Sequence, residues 1–272
     1  MKKLLAITAL SAALFFGQTA AAEEKAAEEV KPSHVEMVLV LDESGSMSNL
    51  TNDTIGGFNS MIEKEKKLDV DAHVTTVLFN DQYKMLYNRR ELKDVRKMTD
   101  KDYTPGGMTA LLDAVGRTIH KMDMVSGIHR KDKGNKVLFV IITDGEENDS
   151  REYTYADVKK LIKDRQENAG WEFIFLGANI DAAAAAENLG IDRDRAVKYK
   201  NTGSGVRANF KAVAELSDSL AKSGRVSDEW KSQVEEDTDE NVMAAPADTK
   251  EHAAPPAKPV KKHLVSKVRK AK

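Results

Sequence analysis

Three short segments of this 272-residue chain carry side chains of one chemical kind. Asp42-Glu43-Ser44-Gly45-Ser46-Met47 ends one apolar run, and Thr143-Asp144-Gly145 ends another. Thr104-Pro105-Gly106-Gly107-Met108-Thr109 lies between them. Asp42, Ser44, Ser46, Thr109 and Asp144 all offer oxygen, and none offers nitrogen or sulfur. That set suits a hard cation, Mg²⁺ first and Mn²⁺ or Ca²⁺ as alternatives, and is poor for zinc or copper. Asp42, Ser44 and Ser46 stand at i, i+2 and i+4, on one side of an extended turn. Gly45 lets the backbone bend, and Gly106 and Gly107 let the second loop come close enough for the Thr109 hydroxyl. Two facing carboxylates repel, and a cation between them offsets that. An ion held by neutral hydroxyls, with the two aspartates acting through water, is under-neutralised and attracts an external carboxylate.

Each segment alone has a plainer reading. Asp42, Ser44 and Ser46 fit a polar turn capping a helix, and Asp144-Gly145 fits a strand-end turn. It is the joint occurrence with Thr109 that points to a metal. Glu146, Glu147 and Asp149 read as a solvated acidic loop, and Asp113 as a supporting or surface residue. Gly203-Ser204-Gly205-Val206-Arg207-Ala208 fits a dinucleotide-type glycine pattern but lacks an acidic ribose partner. It reads as the glycine-rich start of the last helix. The six histidines show no ligand spacing, and no serine sits in a nucleophile elbow.

The elements that must hold these loops alternate. Apolar runs at 35–41, 73–79, 137–142, 171–176 and 196–199 read as strands, the third and fourth buried on both faces. Residues 83–88, after a tight turn at Asn80-Asp81, read as an antiparallel edge strand. Helical spacing recurs at Ile55, Phe58 and Ile62, and again at Leu111, Val115, Ile119 and Met122. It recurs at Val158, Leu161 and Ile162, and at Val206, Phe210, Val213 and Leu220. Thr154 and Asp157 form a capping box for the third helix. The fold class that follows is α/β, a doubly wound, mostly parallel open sheet with helices on both faces. Ligands in such sheets bind beyond the carboxyl ends of the central strands.

Asp42-x-Ser44-x-Ser46, Thr109 and Asp144 resemble the metal-ion-dependent adhesion site of von Willebrand factor type A domains. Three separated segments match in the right order over about residues 33–222. The resemblance implies one divalent ion at the top of the sheet. It implies Ser44, Ser46 and Thr109 as direct or near-direct ligands, and Asp42 and Asp144 often acting through water. It also implies a partner protein whose Asp or Glu completes the ion's shell. The stretch Phe175-Leu176-Gly177-Ala178-Asn179-Ile180-Asp181 looks like bacterial members of the family and is expected only to turn the chain into the next helix.

The two ends differ from the body. Lys2 and Lys3, the apolar run Leu4–Phe16 and Ala20-Ala21-Ala22 read as a cleavable export signal over 1–22. Residues 223–245 read as an acidic linker. Residues 246–272 carry a net charge of +6 with four prolines, a basic disordered tail. Residues 23–245 then carry −10. With no cysteine, disulfides, thiol nucleophiles and thiolate zinc sites are excluded. The expected function is an exported, cation-dependent protein-binding module, not an enzyme, in the periplasm or cell envelope, with secretion as the alternative. Asp42→Ala is expected to abolish Mg²⁺-dependent binding with the fold intact. One alternative is a hydrolase using Mg²⁺-bound water with Asp144 or Glu146 as base. The other is docking of the basic tail on an anionic envelope polymer or lipid headgroup. The tail has no aromatic residue to stack on bases, so nucleic acid is discounted.

Overall fold

Alternation of side chains along the central strands builds two cores, one on each face of a single sheet. The computed structural model describes residues 34–67, 71–124, 135–232 and 234–235. The expected export signal and basic tail lie outside the described residues. Strand β1 (His34–Asp42) and strand β4 (Asn135–Thr143) are buried over nearly their whole length. They pair in parallel, Leu39 opposite Val140. Beyond β1 lies parallel β2 (Asp71–Phe79), and beyond β4 lie parallel β5 (Glu172–Gly177) and β6 (Ala196–Lys198). Strand β3 (Tyr83–Glu91) runs antiparallel against β2 at the edge, three residues longer than expected. The sheet order is β3-β2-β1-β4-β5-β6.

Met37, Leu39 and Leu41 point to one face, where they pack with Leu138, Val140 and Ile142. Helices α1 (Thr51–Glu65) and α5 (Gly203–Ser223) cover it. They approach closely: a Cβ on Gly57 would lie 2.4 Å from the Phe210 ring. Val38, Val40, Phe139 and Ile141 point to the other face. It is covered by α2 (Leu111–Asp123), α3 (Tyr155–Asp164) and α4 (Ala182–Leu189). The expected capping box opens α3: Thr154 Oγ1 accepts from Asp157 N, and Asp157 Oδ2 accepts from Thr154 N. The first core continues past α5, where Val226, Trp230 and Val234 are buried in it. The packed unit therefore extends beyond the expected boundary at residue 222, because three apolar anchors outweigh the surrounding charge. By contact density the chain divides into residues 1–238 and residues 239–272, and the second unit lies outside the described residues.

The chain leaves β1 toward one face and β4 toward the other. The carboxyl ends of these neighbouring strands therefore open a crevice at the switch of strand order. Asp42 and Thr143 are the last residues of those strands.

Candidate metal centre

At the end of β1 the Asp42 carboxylate faces inward. Its Oδ2 accepts from the Thr143 hydroxyl at 2.6 Å, and its Oδ1 accepts from Ser44 N at 2.7 Å. That second bond folds the backbone over, and a 3-10 turn (Gly45–Leu50) leads into α1. The turn brings Ser44 Oγ within 3.0 Å of Ser46 Oγ. Ser46 Oγ in turn donates to Asp144 Oδ1 at 2.5 Å, from the loop after β4. Asp42, Ser44, Ser46 and Asp144 therefore form one connected set of oxygens, although the two aspartates are 102 positions apart.

Thr109 is on the third loop, bonded to both others. Gly106 N donates to Glu43 O at 2.9 Å, and Gly45 N to Gly107 O at 3.2 Å. Thr109 N donates to Asn148 Oδ1 at 2.9 Å, and Asn148 N to Thr109 O at 3.0 Å. Thr109 Oγ1 lies 3.9 Å from where a Cβ on Gly145 would stand, beside Asp144. Thr109 is 4 % exposed, whereas Ser46 stands at the exposed rim.

The electrostatics are unbalanced. Asp42 and Asp144 are each 1 % exposed. Among the described residues no lysine, arginine or histidine pairs with either. Their partners are hydroxyls, backbone amides and the Asn201 amide, 3.3 Å from Asp144 Oδ2. Burial raises the Asp42 carboxyl above its ordinary range, against the bonds from Thr143 and Ser44, and the charge of Asp144 adds a smaller push. Two desolvated carboxylates without a cationic partner are costly. An all-oxygen set with two such carboxylates fits a hard divalent ion, which Ser44, Ser46, Thr109, Asp42 and Asp144 would hold.

Residues 34–197 match the family model of the vWA domain found in the TerF C terminus. The chain belongs to the von Willebrand factor type A family. No curated protein matches it. Among solved structures, proximal thread matrix protein 1 of the mussel byssus matches at 13 % identity and TM-score 0.50, over 68 % of this chain and 46 % of that one. The D319A mutant of the PilB minor pilin of Streptococcus sanguinis matches at 11 % identity and TM-score 0.52, over 70 % and 62 %. The chain thus spans less than two thirds of either protein, and at these identities the likeness is one of fold.

Beyond the five oxygen donors, further residues support the site of the vWA domain. The Tyr103 hydroxyl donates to Asp42 O at 2.6 Å from the loop before Thr104. Asn80 Nδ2 donates to Gly106 O at 2.7 Å and Asn80 O accepts from Ala110 N at 2.9 Å, so the β2–β3 turn carries the Thr109 loop. Asn179, expected only to turn the chain, adopts a left-handed φ of 58° and donates to Asp144 O at 3.1 Å. Glu147 is not solvated as expected. Its carboxylate accepts from Leu112 N, Asp149 N, Ser150 N and Ser150 Oγ at 2.7–3.0 Å. Asp113 accepts from the backbone of Arg151, Glu152 and Tyr153 at 2.9–3.0 Å and fixes the far end of the same loop. Glu146 is exposed, as expected.

The two loop glycines differ. Gly107 has φ +76°, and a Cβ there would lie 1.9 Å from Asp81 Oδ1. Gly106, expected to share that role, has open space around it. Gly107→Ala is expected to destabilise the vWA domain by about 1–3 kcal/mol. Gly106→Ala should stay within about 0.5 kcal/mol of wild type. Urea denaturation of the two variants checks the difference.

Proposed function

We propose that this vWA domain is an exported, divalent-cation-dependent protein-binding module, with Mg²⁺ as the resident ion and a partner's Asp or Glu completing its coordination. The observation that carries this reading is the buried Asp42–Asp144 pair, joined through Ser44 and Ser46 and lacking any cationic partner among the described residues. A divalent ion there supplies the missing charge, and neutral serine and threonine ligands leave it attractive to a further carboxylate. The rim supports docking. Met108, next to Thr109, is 52 % exposed, and Tyr155 is 44 % exposed. Tyr155 lines a groove of about 290 Å³ with Gly145, Glu146 and Ile180, beside Asp144. Exposed methionine and tyrosine suit an interface centre. No helix among the described residues is long and apolar enough to cross a membrane. Export rests on the pattern in residues 1–22.

Asp42 also ties the ends of β1 and β4, so Asp42→Ala removes structure along with a ligand. Ser46→Ala is the cleaner variant, since Ser46 is exposed. Immobilised chain, incubated with solubilised native envelope in Mg²⁺, is expected to retain a defined partner that EDTA elutes and that Ser46→Ala does not retain. Retention that is equal with EDTA and with Ser46→Ala would refute the proposal.

A further inference from the structure

The six histidines are unremarkable along the sequence, but strand register brings two of them together. Period-two alternation in β1 puts His34 and Glu36 on one face. Parallel pairing then sets His34 opposite Asp71 and Glu36 opposite His73. These residues lie at the amino ends of β1 and β2, the pole of the sheet away from Asp42. His34 Nε2 is 2.8 Å from Glu36 Oε1 and 2.9 Å from His73 Nδ1, and His73 Nδ1 is 3.5 Å from Glu36 Oε1. Neighbouring ligand atoms around a tetrahedral ion with bonds of about 2.0–2.1 Å are roughly 3.3 Å apart. The triangle needs only tenths of an ångström to reach that.

We infer that the vWA domain has a second cation site here, formed by His34, Glu36 and His73 and suited to Zn²⁺ or a similar transition-metal ion. Two imidazoles and one carboxylate select borderline ions over Mg²⁺, the reverse of the oxygen-only centre at the opposite pole. Three features support a built site. Asp71 Oδ2 lies 3.2 Å from His34 Nδ1, which orients the ring and turns its Nε2 toward the triangle, as outer carboxylates do for metal-bound histidine. Glu36, fully buried, uses its two oxygens unevenly. Oε1 takes His34 and both Nε and Nη2 of Arg89, while Oε2 has no hydrogen-bond partner. An unconstrained arginine forks across both oxygens of a carboxylate. Arg89 instead reaches Glu36 from an irregular stretch of β3 with a left-handed φ of 46°, a backbone state that surroundings must impose on a non-glycine residue. Arg89 thus stands where the ion would, and moving it to the idle Oε2 frees Oε1. The His34 and His73 side chains are 12 % and 23 % exposed, which gives an ion access.

The test is Zn²⁺ titration of the full chain by calorimetry in excess Mg²⁺, with zinc K-edge absorption on the loaded protein. One Zn²⁺ per chain with two imidazole ligands is expected. His34→Gln and His73→Gln should each weaken binding at least about 100-fold, and Asp71→Asn about tenfold. Ser46→Ala should leave it unchanged, which separates this site from the oxygen-only one. Arg89→Ala, which removes the competing cation, should tighten it. An absorption spectrum without imidazole, or affinity unchanged in both histidine variants, would overturn the inference.

Discussion

Asp144→Asn is expected to abolish the response of this vWA domain to Mg²⁺ while leaving it at least as stable as wild type in EDTA. The substitution removes one of two buried, facing charges and keeps an oxygen that accepts from Ser46. Without a cation, losing that charge relieves repulsion of Asp42. With one, it removes a ligand. A ligand at 100 times its Kd stabilises the native state by about 2.7 kcal/mol. For a domain of this size that is roughly 5–10 °C in Tm. Thermal melts in Mg²⁺ and in EDTA should show that shift for wild type and none for Asp144→Asn. A variant that kept the full shift would place the ion elsewhere.

The second large effect is at Glu65, on the inner face of α1 and 1 % exposed. Ser217 Oγ, from α5, donates to its Oε2 at 2.5 Å, while Oε1 has no hydrogen-bond partner. Burial pushes its carboxyl up to about 7, against the Ser217 bond, with the charge of Asp218 adding to the rise and Lys64 opposing it. The folded value thus lies above the unfolded one of 4.5. The native state holds this proton more tightly, so Glu65's contribution is fully present below pH 4.5 and lost as pH rises through 7. The loss between these limits is about 3 kcal/mol. Glu65→Gln should therefore stabilise the domain by about 2–3 kcal/mol at pH 8 and by under about 1 kcal/mol at pH 5. Urea denaturation at both values measures this, and an equal effect at the two would contradict it.

What was legible in the sequence follows from which forces act locally. Continuous apolar runs marked β4 and β5, because strands covered on both faces leave no polar positions. The Thr154–Asp157 cap and the edge strand after Asn80 also rest on contacts within a few residues. The oxygen set was legible because residue type and spacing carried it. Its support was not. Tyr103, Asn80 and Asn179 act through backbone atoms that only the folded loops bring near. Glu147 looked solvated because nothing in the sequence shows four donors converging on it. Trp230 and Val234 stand isolated among charges, so the charge pattern does not show that each is buried. The His34–His73 pair was invisible for a different reason. Strand register, not spacing, makes neighbours of residues 39 positions apart.

The most direct measurement is anomalous diffraction from crystals of this chain grown with Mn²⁺ in place of Mg²⁺. One anomalous peak is expected within coordination distance of Ser44 Oγ, Ser46 Oγ and Thr109 Oγ1, with Asp42 and Asp144 bound directly or through water. A fully formed site with no peak there, or with Thr109 Oγ1 out of reach of the ion, would contradict it.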